Sequence, residues 1–150
     1  MSKTVEHIYD VDLKWKEGRI GELRSFKLDD TIEVATPPEF PGGVEGIWSP
    51  EHLFVASVSS CFMTTFTAIA EYSKLKFEEL TVPATGLMSN ETGKFAITEI
   101  VLSPKLVIQD DNQKDKALRI LQKAEEACLI TRSIKTEVKL EPTIAIAALN

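Results

Sequence analysis

Two thiols, Cys61 and Cys128, are the side chains in this sequence best suited to covalent chemistry, and they lie 67 positions apart. A thiol reacts as its thiolate, and burial in apolar surroundings disfavours that charged form. Both cysteines fall on apolar helix faces, where a free cysteine is more often a small core residue than a nucleophile. Cys61 also lies too deep in its helix to borrow the positive N-terminal dipole, so a reactive Cys61 would need a cation from elsewhere. Arginine keeps its proton and can donate hydrogen bonds to an oxygen leaving group. The candidates are Arg19, Arg24, Arg119 and Arg132. Metal binding is a poor fit: His7, His52 and two distant cysteines form no paired ligand spacing, and nothing else calls for a cofactor. The GGVEG stretch before the Cys61 helix lacks the Lys and Ser/Thr of a phosphate loop, and Glu45 and Glu51 would repel a phosphate.

The elements that must position these residues follow from pattern. Residues 5–15 alternate, with Val5, His7, Tyr9, Val11, Leu13 and Trp15 on one side, and predict a strand. Shorter strands are expected over 20–28 and 31–35, forming an antiparallel meander. TPPEFPGGVEGIWSP then packs four prolines and three glycines into 15 residues, a long irregular loop of the kind that often carries function. Ser49 as N-cap, Pro50 at the first helical position and Glu51 in the first turn start a helix that runs to about Tyr72. Its apolar residues cover most of its circumference, so the helix should be buried on nearly all sides and covered partly by a second subunit. Residues 77–88 and 95–109 predict a long hairpin around SNETGK, with Pro83 and Pro104 limiting where each strand pairs. A second helix starts near DDNQ, and Ala117, Leu121, Ala124 and Cys128 form its apolar stripe, so the Cys128 thiol should face inward. A last strand is expected over 135–147 around Pro142, and the charges of 132–139 read as its solvated edge or face. The order βββ-α-ββ-α-β predicts an α+β fold with antiparallel sheets packed on two main helices.

The whole chain sets outer bounds. Its 150 residues, 43% apolar and 27% charged, suit one domain spanning 1–150. A net charge of −6, with 17 basic residues dispersed among 23 acidic ones, argues against nucleic acid. The N-terminus lacks the apolar core of a secretion signal, and no run of about 18 uninterrupted apolar residues exists, so a cytoplasmic protein with no membrane span is expected. A reducing cytosol would keep both cysteines as thiols.

SPEHLFVASVSSCF resembles the hallmark helix of the OsmC/Ohr family, the osmotically inducible and organic hydroperoxide resistance proteins, in which Pro and Glu open the helix and a reactive cysteine follows ten residues after the Glu. AEEACLITRSIK is similar to the family's second-cysteine segment, and EGRIG to the glycine-flanked arginine of its first hairpin. The family usually has proline after the second cysteine, where this chain has Leu129. The resemblance implies that Cys61 is a peroxidatic thiol, Cys128 the resolving thiol, and Arg19 with Glu51 an ion pair beside the reactive sulfur. It implies a thiol peroxidase that cycles through a Cys61 sulfenic acid and a Cys61–Cys128 disulfide, recycled by an external dithiol; for at least one branch of the family that dithiol is a lipoyl-bearing protein. It implies an intertwined homodimer with sites at the interface. Geometry adds a constraint: within one straight helix Glu51 would lie about 15 Å along the axis from Cys61, so either the helix breaks between them or the Glu51 of a given site comes from a second chain, the reading favoured here. Phe54, Phe62, Met63, Phe66, Phe40 and Trp48 supply apolar surface on or near the helix and its preceding loop, favouring an organic hydroperoxide over hydrogen peroxide. The competing reading is a redox-inert binding or stress-associated protein of the same fold, with both thiols as packing.

Overall fold

A computed structural model describes residues 3–147, which form two compact units, one running up to Leu53 and one from Phe54 onward. The first holds an antiparallel meander of β1 (Asp12–Glu17), β2 (Ile20–Arg24) and β3 (Ile32–Ala35) in that order. Its register sets Leu13 opposite Leu23 and Leu23 opposite Ile32, with Trp15, Gly21 and Val34 in the next row, so one face is apolar. Lys14, Glu22 and Glu33 line the other face, where Lys16 pairs with Glu33 at 3.1 Å and Arg24 with Glu22 at 2.7 Å. Within the chain the apolar face stays open: Leu13 is 65% and Trp15 70% exposed. The strand expected over 5–15 forms only from Asp12, because β2 ends at Arg24 opposite Asp12 and leaves earlier residues no strand to pair with.

The proline- and glycine-rich loop folds back on itself. Phe40 N–H donates to the Pro37 carbonyl at 3.1 Å, Gly43 N–H to the Phe40 carbonyl at 3.0 Å and Val44 N–H to the Thr36 carbonyl at 2.9 Å. Any Cβ at Gly43 would collide with the Pro37 carbonyl. The loop returns Trp48 to the side of β3, where its carbonyl accepts from Ala35 N–H at 2.8 Å. Next comes Ser49, whose Oγ accepts from His52 N–H at 3.1 Å and caps α1 (Pro50–Tyr72) as expected.

In the second unit α1 buries one face, Val58, Phe62, Phe66 and Ala70, against the sheets and α2. Its other faces are half-buried or exposed, with Ser60, Met63, Thr64 and Ala68 open to solvent, so the burial on nearly all sides expected from sequence is not reached within one chain. By length and composition α1 could cross a membrane; its buried face makes it the core helix of this unit. It ends where Leu75 N–H reaches back to the Ala70 carbonyl and Lys74 N–H to the Glu71 carbonyl, with Lys74 left-handed at φ 58°.

Pro83 and Pro104 divide the predicted hairpin into two ladders: β5 (Ala84–Ser89) pairs with β6 (Ala96–Leu102), and β4 (Glu79–Thr81) with β7 (Lys105–Ile108), both antiparallel. The final strand is likewise split around Pro142 into β8 (Glu137–Leu140) and β9 (Thr143–Ile146). These join β6 and β7 in parallel, giving sheets ordered β5-β6-β8 and β4-β7-β9. The antiparallel expectation therefore holds for the hairpins, and each sheet gains one parallel strand. The crossover that allows this is a 3-10 turn (Asp111–Gln113), α2 (Lys114–Ala127) and the four-residue α3 (Leu129–Arg132). Ala117, Ile120, Leu121 and Ala124 of α2 close the core against Ile100, Leu102, Leu106 and Ile108.

Candidate functional site

The crossover carries Cys128 back to the middle of α1. Cys128 sits between two helices, ending α2 and capping α3 in an extended conformation, with its side chain fully buried. It lies near enough to Cys61, which is partly exposed, for each thiol to shift the other's ionisation. One turn along α1, Thr65 Oγ1 lies 3.9 Å from Cys61 Sγ. The two sequence-predicted thiols are thus together, both reduced.

Their environments pull them apart. Burial raises the Cys61 thiol, but hydrogen bonds from the Ile130 N–H, the Cys128 thiol, the Thr65 hydroxyl and the Leu129 N–H outweigh it and hold Cys61 below the ordinary cysteine value. Burial also raises Cys128. Thr131, through its N–H and a buried hydroxyl that lacks a hydrogen bond of ordinary geometry, acts the other way. Donation to Cys61 and the charge on that sulfur then push Cys128 up again, and it stays above the ordinary value. Of the two thiols, Cys61 is therefore the more easily ionised and Cys128 the less. Sequence reasoning asked for a cation near Cys61; within the chain, backbone N–H groups at the start of α3 are the larger influence. No residue pattern signals such groups, whereas Thr65, four residues after Cys61, was visible as a neighbour on the helix.

In the first unit Arg19 is an exposed side chain that packs over the loop: a Cβ at Gly42 would sit 3.1 Å from both its Cγ and Nε. Glu51 Oε2 is buried without a hydrogen-bond partner, and among the described residues Arg19 and Glu51 form no ion pair. Since α1 is unbroken from Pro50 to Tyr72, Glu51 and Cys61 stand ten residues apart on a single helix, about 15 Å along its axis.

The expected substrate-contacting aromatics fall in different settings. Phe40 is half-buried in the loop. Trp48 is 54% exposed and packs edge-on to His52, the two lining a recess with Pro38, Glu45, Gly46 and Ile47. His52, weighed from sequence only as a metal ligand, has its Nδ1 2.6 Å from Ser49 Oγ. Phe62 is fully buried, stacked on Phe66, and presents no surface to a ligand. Phe54 is half-buried and lines a cavity with Ala96, Ile97, Thr98, Lys135 and Thr136.

The fold and its paired thiols define a class: α+β proteins in which a partly exposed cysteine at mid-helix meets a buried second cysteine carried in by a crossover. The model of the OsmC-like protein family matches residues 43–143, and the chain belongs to that family. Among its relatives is the uncharacterized protein YmaD of Bacillus subtilis (strain 168), 29% identical over 141 residues that cover 91% of this chain and 92% of YmaD. The structure of an OsmC-like protein of unknown function, VCA0330 from Vibrio cholerae, superposes with a TM-score of 0.82 at 27% identity, covering 91% of this chain and 99% of that one. An organic hydroperoxide resistance protein from Elizabethkingia anophelis shares the fold with a TM-score of 0.73 at 23% identity, covering 95% and 100%.

Proposed function

We propose that this chain is a cysteine-based peroxidase that reduces organic hydroperoxides to alcohols. The observation that carries the reading is the contact between a thiol held low and a thiol held high, the division of labour a two-cysteine cycle needs. The Cys61 thiolate attacks the terminal oxygen of the hydroperoxide. The O–O bond breaks, the sulfur is oxidised to a sulfenic acid, and the alkoxide leaves and takes up a proton as the alcohol. Cys128 then attacks the Cys61 sulfur; the S–S bond forms, and the hydroxyl leaves with the Cys128 proton as water. An external dithiol, for which a lipoyl-bearing protein is the class we favour, reduces the bridge and is itself oxidised to a disulfide.

Arg19 and Glu51 complete the site as an ion pair in a homodimer, with the Glu51 of a given site supplied by the second chain. The supporting observations are the buried, unpartnered Glu51 oxygen and the unbroken helix that separates Glu51 from Cys61 on one chain. Arg19 then stabilises charge on the departing alkoxide. The test is consumption of cumene hydroperoxide with dihydrolipoamide as reductant. Wild type turns over, Cys61→Ser is inactive, and Cys128→Ser stops after one equivalent with a sulfenic acid that dimedone traps. Equal consumption by all three would leave the redox-inert reading in its place.

A further inference from the structure

Beyond the end of α1, the turn after the helix, the end of β7 and the start of α2 enclose a cavity of about 390 Å³. It lies wholly within the second unit, and Tyr72, the last residue of α1, stands about 16 Å along the helix axis from Cys61. Three lysines line it: Lys74 and Lys76 from the turn, and Lys116 from the first turn of α2. In a chain of net charge −6, lysines here outnumber the carboxylates, which are Glu78 and Asp110.

These charges do not neutralise one another by contact. Among the described residues none of the three lysines forms an ion pair, and neither does Glu78. Asp110 is committed elsewhere: its Oδ1 accepts from Asn112 N–H at 2.9 Å and caps the 3-10 turn. Three ammonium groups around one space repel each other until an anion enters it. Lys74 adds an observation of another kind. It leaves α1 at φ 58°, in a left-handed turn that glycine makes with less strain, and the buried Leu75 beside it holds that turn in place. The turn itself gives no reason for a lysine there, whereas the cavity does.

We propose that this cavity binds a phosphomonoester of a small hydroxylated molecule. A phosphoryl group of this kind carries roughly −1.5 to −2 charge at pH 7 and three strong acceptor oxygens, one for each of Lys74, Lys76 and Lys116. The volume falls within the range of about 300–1,000 Å³ that holds whole small molecules, so it leaves room for the body of the ester as well as its phosphate. Glu78 accepts from the hydroxyls of that body. Gln109 and Gln113 also line the cavity, and Gln113 makes no capping hydrogen bond to α2, so both amides serve the same hydroxyls.

Calorimetric titration of the whole chain tests this with glucose 6-phosphate, glycerol 3-phosphate, inorganic phosphate, glucose and citrate. The two esters should bind more tightly than inorganic phosphate, and glucose should not bind. Lys76→Gln combined with Lys116→Gln should weaken the esters at least tenfold, while arginine at both positions should retain them. Lys74→Gly separates ligand from fold: it should melt higher than wild type yet bind the esters at least threefold less tightly. Glu78→Gln should narrow the margin between ester and inorganic phosphate. Cys61→Ser should bind as wild type does, so the outcome is independent of peroxide turnover. Wild type binding neither ester, or equal binding by wild type and the double glutamine variant, overturns the proposal. Inorganic phosphate bound as tightly as the esters overturns the role of the ester body, and citrate bound as tightly and lost in the same variant overturns the phosphoryl assignment.

Discussion

A thiol that lends its proton to a neighbouring sulfur becomes harder to ionise, and the sulfur that receives it becomes easier. Cys61 receives from Cys128, Thr65 and the N–H groups of Leu129 and Ile130, so its thiolate persists at lower pH than an ordinary thiol, near 8.5, would allow. Iodoacetamide labelling of Cys61 against pH should give a midpoint below that of a free cysteine: thiolate dominates above the midpoint and labelling slows as pH falls through it. Cys128→Ala deletes one donor and moves the midpoint up, whereas Cys128→Ser, which keeps a hydroxyl donor, moves it less. Leu129 offers a second handle. It occupies the first position of α3, where proline is tolerated but brings no N–H. Leu129→Pro should keep the fold and raise the Cys61 midpoint; an unchanged profile would show that the Leu129 amide is irrelevant to the thiolate.

Helices and strands hold this pair in place, and their weak and strong points can be measured. Phe66 is fully buried, stacked with Phe62 and edge-on to Phe77. Its replacement by alanine should cost about 3–5 kcal/mol in urea unfolding. At the end of α1, Lys74 holds a left-handed conformation that suits glycine, so Lys74→Gly should raise stability by about 1 kcal/mol. Gly86 of β5 lies so close to α1 that a Cβ would come within 2.5 Å of Val55 Cγ2. Gly86→Ala should therefore destabilise by about 1–3 kcal/mol, and Val55→Ala should relieve part of that in the double variant. Much of this scale could be read from sequence where the cause is local. Ser49, Pro50 and Glu51 announced the start of α1, and Ala117, Leu121 and Ala124 the buried face of α2. Long-range causes stayed hidden. Alternation over 5–11 looks like a strand but has no partner beyond Arg24, and nothing in 137–146 says that β8 and β9 run parallel to β6 and β7. For the candidate site, the residue types at Cys61 and Cys128 were legible, while the main-chain donors that set their order depend on where the crossover ends.

At the scale of the molecule, an open apolar sheet face and an incompletely buried α1 set the expected assembly. Leu13 and Trp15 stand in rows with Leu23, Ile32 and Val34, an arrangement that would be costly to leave in water. Light scattering should give a dimer, and Trp15→Glu should shift it toward monomer with loss of peroxide turnover; active monomers would reject a site shared between copies. The meeting of Cys61 and Cys128 also bears on how long the protein lasts. Joining residues 67 positions apart would remove about 4 kcal/mol of chain entropy from the unfolded state. In the proposed cycle, each turnover would thus pass through a form harder to melt than the resting one. A cell under peroxide attack, with its dithiols depleted, would hold this protein in its most durable state.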